Sequence, residues 1–127
     1  MSDEEWWFKD NSSDRIVWRF SGFYDDGNII GFEFAGPNSS STTVLFKPVM
    51  RIGRDPNQCD IVILDRTVSR LHAEIHFIPG EGIKIRDMGS ANGTFVDGRQ
   101  ITQSFHPIGI RSSLTLGRLQ LAVSVRV

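Results

Sequence analysis

Residues 69–77 read Ser-Arg-Leu-His-Ala-Glu-Ile-His-Phe. In an extended chain Leu71, Ala73, Ile75 and Phe77 fall on one side and His72, Glu74 and His76 on the other, because side chains alternate across a strand. The same two-residue period returns at Leu119, Leu121, Val123, Val125 and Val127, and helical periodicity is almost absent. Working outward, strands are expected over 29–35, 43–52, 61–64, 83–86, 94–96 and 114–116. Turn signals separate them at Gly36-Pro37-Asn38, Asp55-Pro56-Asn57, Pro79-Gly80-Glu81-Gly82, Asp97-Gly98 and His106-Pro107. Many short strands at such spacing predict an all-β, two-sheet sandwich whose loops gather at its ends, where a rigid scaffold can carry a binding site.

The chain has 127 residues, enough for one domain with a real core and no need of metals or disulfides. An apolar fraction of 39% and a charged fraction of 23% exclude disorder throughout. Cys59 is the single cysteine, so no internal disulfide can form and a reducing compartment is expected. No run of eighteen apolar residues occurs, and the acidic opening Ser2-Asp3-Glu4-Glu5 is unlike a secretion signal; the expected location is cytoplasmic. The net charge of −1 argues against general attraction to nucleic acid or membrane. Its distribution is uneven: residues 1–33 hold eight acids against three bases, and residues 34–127 seven acids against eleven bases. Arginine supplies eleven of the fourteen basic residues, which suits planar contact with phosphate or carboxylate.

Three short segments between the strand-like runs concentrate the polar chemistry: Gly53-Arg54, Ser69-Arg70-Leu71-His72 and Asn92-Gly93-Thr94. Guanidinium and hydroxyl groups at loop tips are what a doubly charged phosphate ester needs, since its oxygens accept several charge-assisted hydrogen bonds at once. Asn92 adds an amide that donates and accepts together, suited to an extended peptide backbone, although Asn-Gly is also the commonest tight-turn pair. Ser, His and Asp in one neighbourhood suggest a hydrolase. Against it, Ser69 and His72 sit three residues apart at a loop-to-strand junction, with no glycine elbow and no evident oxyanion donors. His76 and His106 are isolated, and no His/carboxylate set has metal-ligand spacing; no metal and no cofactor are expected.

The order and spacing of these segments resemble the forkhead-associated (FHA) domain, a phosphothreonine-binding β-sandwich, from about Ile29 to Val127. Ile52 to Ile63 is similar to the family's Gly-Arg signature with its following Asp-Ile strand. Ser69, Arg70 and His72 fit its Ser-x-x-His signature, and Asp87 to Thr94 its Asp-x-x-Ser-x-Asn-Gly-Thr signature. The resemblance implies about ten to eleven mostly antiparallel strands with the functional loops at one end. It assigns phosphate contact to Arg54, Ser69 and Arg70, and peptide-backbone contact to Asn92. Gly53, His72 and Gly93 would support the site, and Thr67, Val68 and Ala91 would tune specificity. The family often has a threonine or serine where this chain has Ala91, which leaves only a backbone N–H there.

Residues 1–28 lie outside the resemblance and form an aromatic, acidic extension to a domain spanning 29–127. Ile16, Trp18 and Phe20 alternate with Val17 and Arg19, so an added strand or hairpin is one expectation. The other is docking of Trp6-Trp7-Phe8 on a second partner or a second copy, since exposed aromatic clusters mark interfaces. Two functions follow from the sequence. The first is a non-enzymatic, phosphothreonine-dependent adaptor in Ser/Thr kinase signalling, with a phosphothreonine-containing protein as its partner and no nucleic acid or membrane. The alternative is a phosphate-independent assembly or oligomerisation protein using the sandwich and the aromatic extension.

Overall fold

The computed structural model describes residues 4–25, 28–35, 43–45, 49–78 and 81–126. They form β1 (Glu4–Asp10), β2 (Ile16–Asp25), β3 (Asn28–Ala35), β4 (Thr43–Leu45), β5 (Val49–Gly53), β6 (Ile61–Val62) and β7 (Ala73–Ile78). These are followed by β8 (Gly82–Asp87), β9 (Thr94–Val96), β10 (Arg99–Gln100), β11 (His106–Ile108), β12 (Ser113–Leu116) and β13 (Leu119–Arg126). One sheet has the order β10-β9-β12-β13-β1-β2-β3-β4, and the other β11-β8-β7-β5-β6. The fold is the all-β, two-sheet sandwich read from the sequence. Every pairing is antiparallel except β5 with β6.

The described residues contain more strands than the ten to eleven expected, for two local reasons. The run 43–52 is not one strand: Thr43–Leu45 pairs with β3 in the larger sheet, whereas Val49–Gly53 pairs with β6 and β7 in the smaller. Pro48 lies between them in sequence, and proline cannot donate to a ladder. His106-Pro107, read as a turn, is part of β11, where Pro107 faces Lys84. β11 is an edge strand, which is where a residue lacking an N–H is tolerated. The Asp97-Gly98 turn stands: φ values of 51° and 79° at the two residues join Val96 to Arg99 in the tight hairpin expected of that pair.

β1 lies between β13 and β2, so the aromatic extension is an internal strand of the larger sheet. Trp6 and Phe8 point inward and are 4% and 0% exposed. The docking surface expected from Trp6-Trp7-Phe8 is therefore corrected: alternation sends Trp6 and Phe8 into the core and leaves only Trp7 on the outer face. Phe8 stacks on Trp18 with ring centroids 4.6 Å apart and meets Phe20 edge-on at 6.1 Å. Phe20 in turn stacks at 5.1 Å on Phe77 of the opposite sheet, so one aromatic chain ties the two layers together.

The pairing of β1 with β2 slips between Phe8 and Lys9, leaving Val17 as the extra residue of a bulge. This breaks the Ile16/Trp18/Phe20 alternation read from the sequence. Val17 is buried beside Trp18, and Ile16 is turned out to 43% exposure. In β7 the inward face carries Ala73, Ile75 and Phe77 as expected, but Glu74 on the outer face is only 6% exposed. Two guanidinium groups cover it: Arg51 Nε donates to one carboxylate oxygen at 3.3 Å, and Arg86 Nε to the other at 2.8 Å.

Candidate functional site

Three loops at one end of the sandwich meet around a histidine. They are 54–60 between β5 and β6, 63–72 between β6 and β7, and 88–93 between β8 and β9. His72, expected from the resemblance to support the site, lies just before β7 and is 0% exposed. Its Nδ1 accepts from the Ser69 N–H at 3.0 Å, and its Nε2 lies 2.9 Å from the Gly93 carbonyl. A backbone N–H can only donate and a carbonyl only accept, so the ring is held as the neutral Nε2–H tautomer. Burial pulls the His72 pKa below the ordinary histidine value, against the upward pulls of the Gly93 carbonyl and the Asp87 charge. The His72 backbone completes the junction: its N–H donates to Ile52 and its carbonyl accepts from Met88, each at 2.9 Å.

Ser69 is at the meeting point. Its hydroxyl oxygen accepts the Ala91 N–H at 2.9 Å, and its carbonyl accepts the Arg54 N–H at 3.0 Å. The hydroxyl proton is left to donate to an incoming acceptor. Arg54 Nε donates to the Val68 carbonyl at 3.0 Å, which fixes the plane of the guanidinium. Its terminal amines have no hydrogen-bond partner among the described residues. The Asn92 amide donates to the Thr67 carbonyl at 2.8 Å, tying the third loop to the second and leaving the amide oxygen free to accept. Arg54, Ser69, Ala91 and Asn92 are thus linked by short bonds into one cluster. The Arg70 side chain is exposed, while its carbonyl accepts from Asp55 N at 3.2 Å and from the Cys59 thiol at 3.0 Å.

Gly53 is required by that last contact. A Cβ at this position would lie 2.2 Å from the Arg70 carbonyl oxygen and 2.7 Å from Cys59 Sγ. Gly93 sits at a φ of +87°, in the left-handed region that a side chain rarely adopts. Two of the residues expected to tune specificity are differently placed. Val68 is 0% exposed and packs in the core, so its side chain cannot meet a ligand; alternation within the tight loop turns it inward between Thr67 and Ser69. The Thr67 hydroxyl donates to Asp65 at 2.7 Å and accepts from Arg118 N at 3.0 Å, so it braces the loop. Ala91 is exposed.

Each loop is stiffened by an aspartate that the sequence reading did not place among the site residues. Asp55 accepts from Asn57 N at 2.9 Å and from the Gln58 amide at 2.8 Å; these bonds hold its carboxyl below the usual range, the Gln58 bond most strongly. Asp65 takes the Thr67 hydroxyl, the Thr67 N–H and the Arg118 guanidinium, and is lowered chiefly by the hydroxyl. Burial pushes Asp87 upward. Bonds from the Ser90 and Thr94 hydroxyls and from the Ser90 and Gly89 N–H groups outweigh it and leave the pKa lowered. Ser90 Oγ also accepts the Gly93 N–H at 3.0 Å, so Asp87 to Thr94 is one interlocked turn. The signal was an aspartate two residues before a turn N–H, repeated in all three loops.

The β12–β13 turn braces the site from the other sheet. Arg118 Nε bonds to Asp65 at 3.1 Å. A Cβ on Gly117, at φ +60°, would fall 2.4 Å from the Thr67 carbonyl oxygen that receives Asn92. Among the described residues no group of three His, Cys, Asp or Glu could hold a metal, and no helix is long and apolar enough to cross a membrane.

The FHA domain family matches residues 50–117, more than half of the chain and all of the loops just described. The glycogen accumulation regulator GarA of Mycolicibacterium smegmatis is 45% identical over 62 residues, which are 49% of this chain and 38% of that protein. The match therefore spans well under half of that relative. The solved FHA domain of the CT664 protein from Chlamydia trachomatis superimposes with a TM-score of 0.60 at 22% identity, covering 97% of both chains. Mycobacterium tuberculosis EmbR, solved in complex with a low-affinity phosphopeptide, gives 0.61 at 22% identity over 94% of this chain and 24% of that one. Both structural likenesses concern the fold.

Proposed function

The chain belongs to the FHA domain family, and from that membership we propose that it is a phosphothreonine-dependent peptide- and protein-binding adaptor acting in cytoplasmic Ser/Thr kinase signalling. The observation that carries this reading is the bonding of three loops around Ser69, which brings a free hydroxyl proton, the open end of the Arg54 guanidinium and the Asn92 amide to one place. A phosphate dianion suits the Ser69 hydroxyl and the Arg54 guanidinium, since each charge-assisted bond contributes about 1.5–3 kcal/mol, while the Asn92 amide suits the main chain of the peptide. EmbR, solved with a phosphopeptide, is one member of the fold whose ligand agrees with it.

The commitments of His72 favour a binding module over a hydrolase. Its Nδ1 receives the Ser69 backbone N–H, and its Nε2 donates to Gly93, so neither nitrogen can take the Ser69 hydroxyl proton. Burial of Trp6 and Phe8 counts against the assembly alternative, since it leaves Trp7 alone of that cluster on the outer face.

A site of this size predicts roughly micromolar dissociation constants. Burying the extra methyl favours phosphothreonine over phosphoserine by about 0.8 kcal/mol, roughly fourfold, and the stiffer β-branched side chain adds to it. The test is a degenerate peptide library in phosphothreonine, phosphoserine and unphosphorylated forms, offered to wild type and to Ser69→Ala. Capture confined to the phosphorylated forms, strongest for phosphothreonine and lost in Ser69→Ala, is the expected result. Equal capture of the unphosphorylated library would refute the reading.

A further inference from the structure

Leu64 is 74% exposed, the highest value among the large apolar side chains described. It follows β6, the edge strand of the smaller sheet, beyond which no strand of the described residues pairs. Together with Val17, Val62 and Leu119 it lines an open groove of about 320 Å³ between the two sheets, and Asp10, Arg15 and Asp65 line it as well. A single exposed leucine needs no explanation; one continuous with a groove that also holds Val17, Val62 and Leu119 does.

Asp65 belongs both to this groove and to the phosphate loops. It faces the groove and at the same time anchors the Thr67 N–H at 2.8 Å. Thr67 is bonded to Asn92 and stands two residues before Ser69. Leu64 and Ser69 are five positions apart, which limits their separation to about 17 Å even for a fully stretched chain. An extended ligand rising about 3.3 Å per residue covers that distance in roughly five residues.

We propose that this groove is a second recognition site for the same phosphorylated partner, occupied by one large apolar side chain about four to seven residues from the phosphothreonine. The inference rests on the phosphothreonine reading above. Continuity selects the occupant: a segment held at Ser69 and Arg54 that leaves over Asp65 and Arg118 arrives at Leu64. Tethering by the phosphate gives the flanking segment a high local concentration, so a contact too weak to hold by itself still adds to affinity. Covering Leu64 with an apolar side chain is expected to tighten binding roughly tenfold.

The probe is a phosphothreonine peptide library degenerate over seven residues on each side, screened against wild type and Leu64→Ser, with anisotropy titrations of the selected peptide and its apolar-to-serine counterpart. Wild type should select an apolar residue at one position four to seven residues from the phosphothreonine, and Leu64→Ser should lose that selection and about tenfold in affinity. Binding of a short core peptide should be equal in the two proteins, and their thermal melts should coincide. Absence of apolar selection, or its persistence in Leu64→Ser while the core peptide still binds, overturns the second site and leaves the phosphothreonine reading standing. Failure of every phosphothreonine peptide to bind removes both. Sedimentation velocity covers the remaining occupant: concentration-dependent self-association that Leu64→Ser abolishes, with no change in peptide selection, would assign the groove to a second copy and overturn the proposal.

Discussion

The β1–β2 pair and the loop cluster around His72 are held by opposite means. In the first, Trp6, Phe8, Val17, Trp18 and Phe20 are buried against the opposite sheet, and the geometry follows from stacked rings. In the second, few side chains pack; serine, threonine, asparagine and aspartate groups bond to backbone N–H and carbonyl groups across three loops. Apolar burial is non-directional and tolerates a bulge such as the one at Val17. Hydrogen bonding is directional, and it fixes where the Ser69 hydroxyl and the Asn92 amide point. The aromatic pair should therefore set stability and the polar cluster should set binding.

The largest test of that division is Phe8→Ala, which deletes a ring that is 0% exposed and in contact with two others. Chemical denaturation should show a loss of about 3–5 kcal/mol. The fraction still folded should bind a phosphothreonine peptide with wild-type affinity; a matching loss of affinity would show that the two regions are coupled.

Asp87→Asn should cost less stability, about 1–3 kcal/mol, because an amide cannot accept all the donors that converge on the carboxylate. Its effect on peptide affinity should be larger than that of Phe8→Ala, measured by titration calorimetry, since the turn carrying Ala91 and Asn92 loosens.

A smaller, pH-dependent effect comes from His72. The unfolded chain protonates this ring near pH 6.5, and the folded protein protonates it only at lower pH. Stability from the neutral ring is therefore fully present above pH 6.5 and is lost as pH falls from there to the folded value, with a slope of at most about 1.4 kcal/mol per pH unit. Urea melts without peptide would show it, and His72→Asn should flatten that slope. Peptide affinity is the wrong readout, because a phosphate monoester itself titrates near pH 6.

Trp7→Ala should do least. Trp7 lies on the outer face, bonded to Glu5 at 2.9 Å with Lys9 5.1 Å from its ring, so a change within about 1 kcal/mol is expected in a thermal melt. A large destabilisation would mean that the outer face of β1 carries packing that alternation does not predict.

Residue types at fixed spacing made the sandwich and the three loops legible in the chain itself. Period-two runs such as Ala73, Ile75 and Phe77 depend on nothing but strand geometry, and Asp97-Gly98 takes its turn from the conformations its own residues prefer. Gly53, Arg54, Ser69, His72 and Asn92 could be singled out because they match the signatures of the FHA family. The fate of Trp6 and Phe8, the inward turn of Val68, the burial of Glu74 and the bracing of Thr67 by Gly117 and Arg118 needed the tertiary structure. Each depends on which distant segment lies opposite, and a linear sequence does not display which backbone groups will be left without partners once two sheets close on each other.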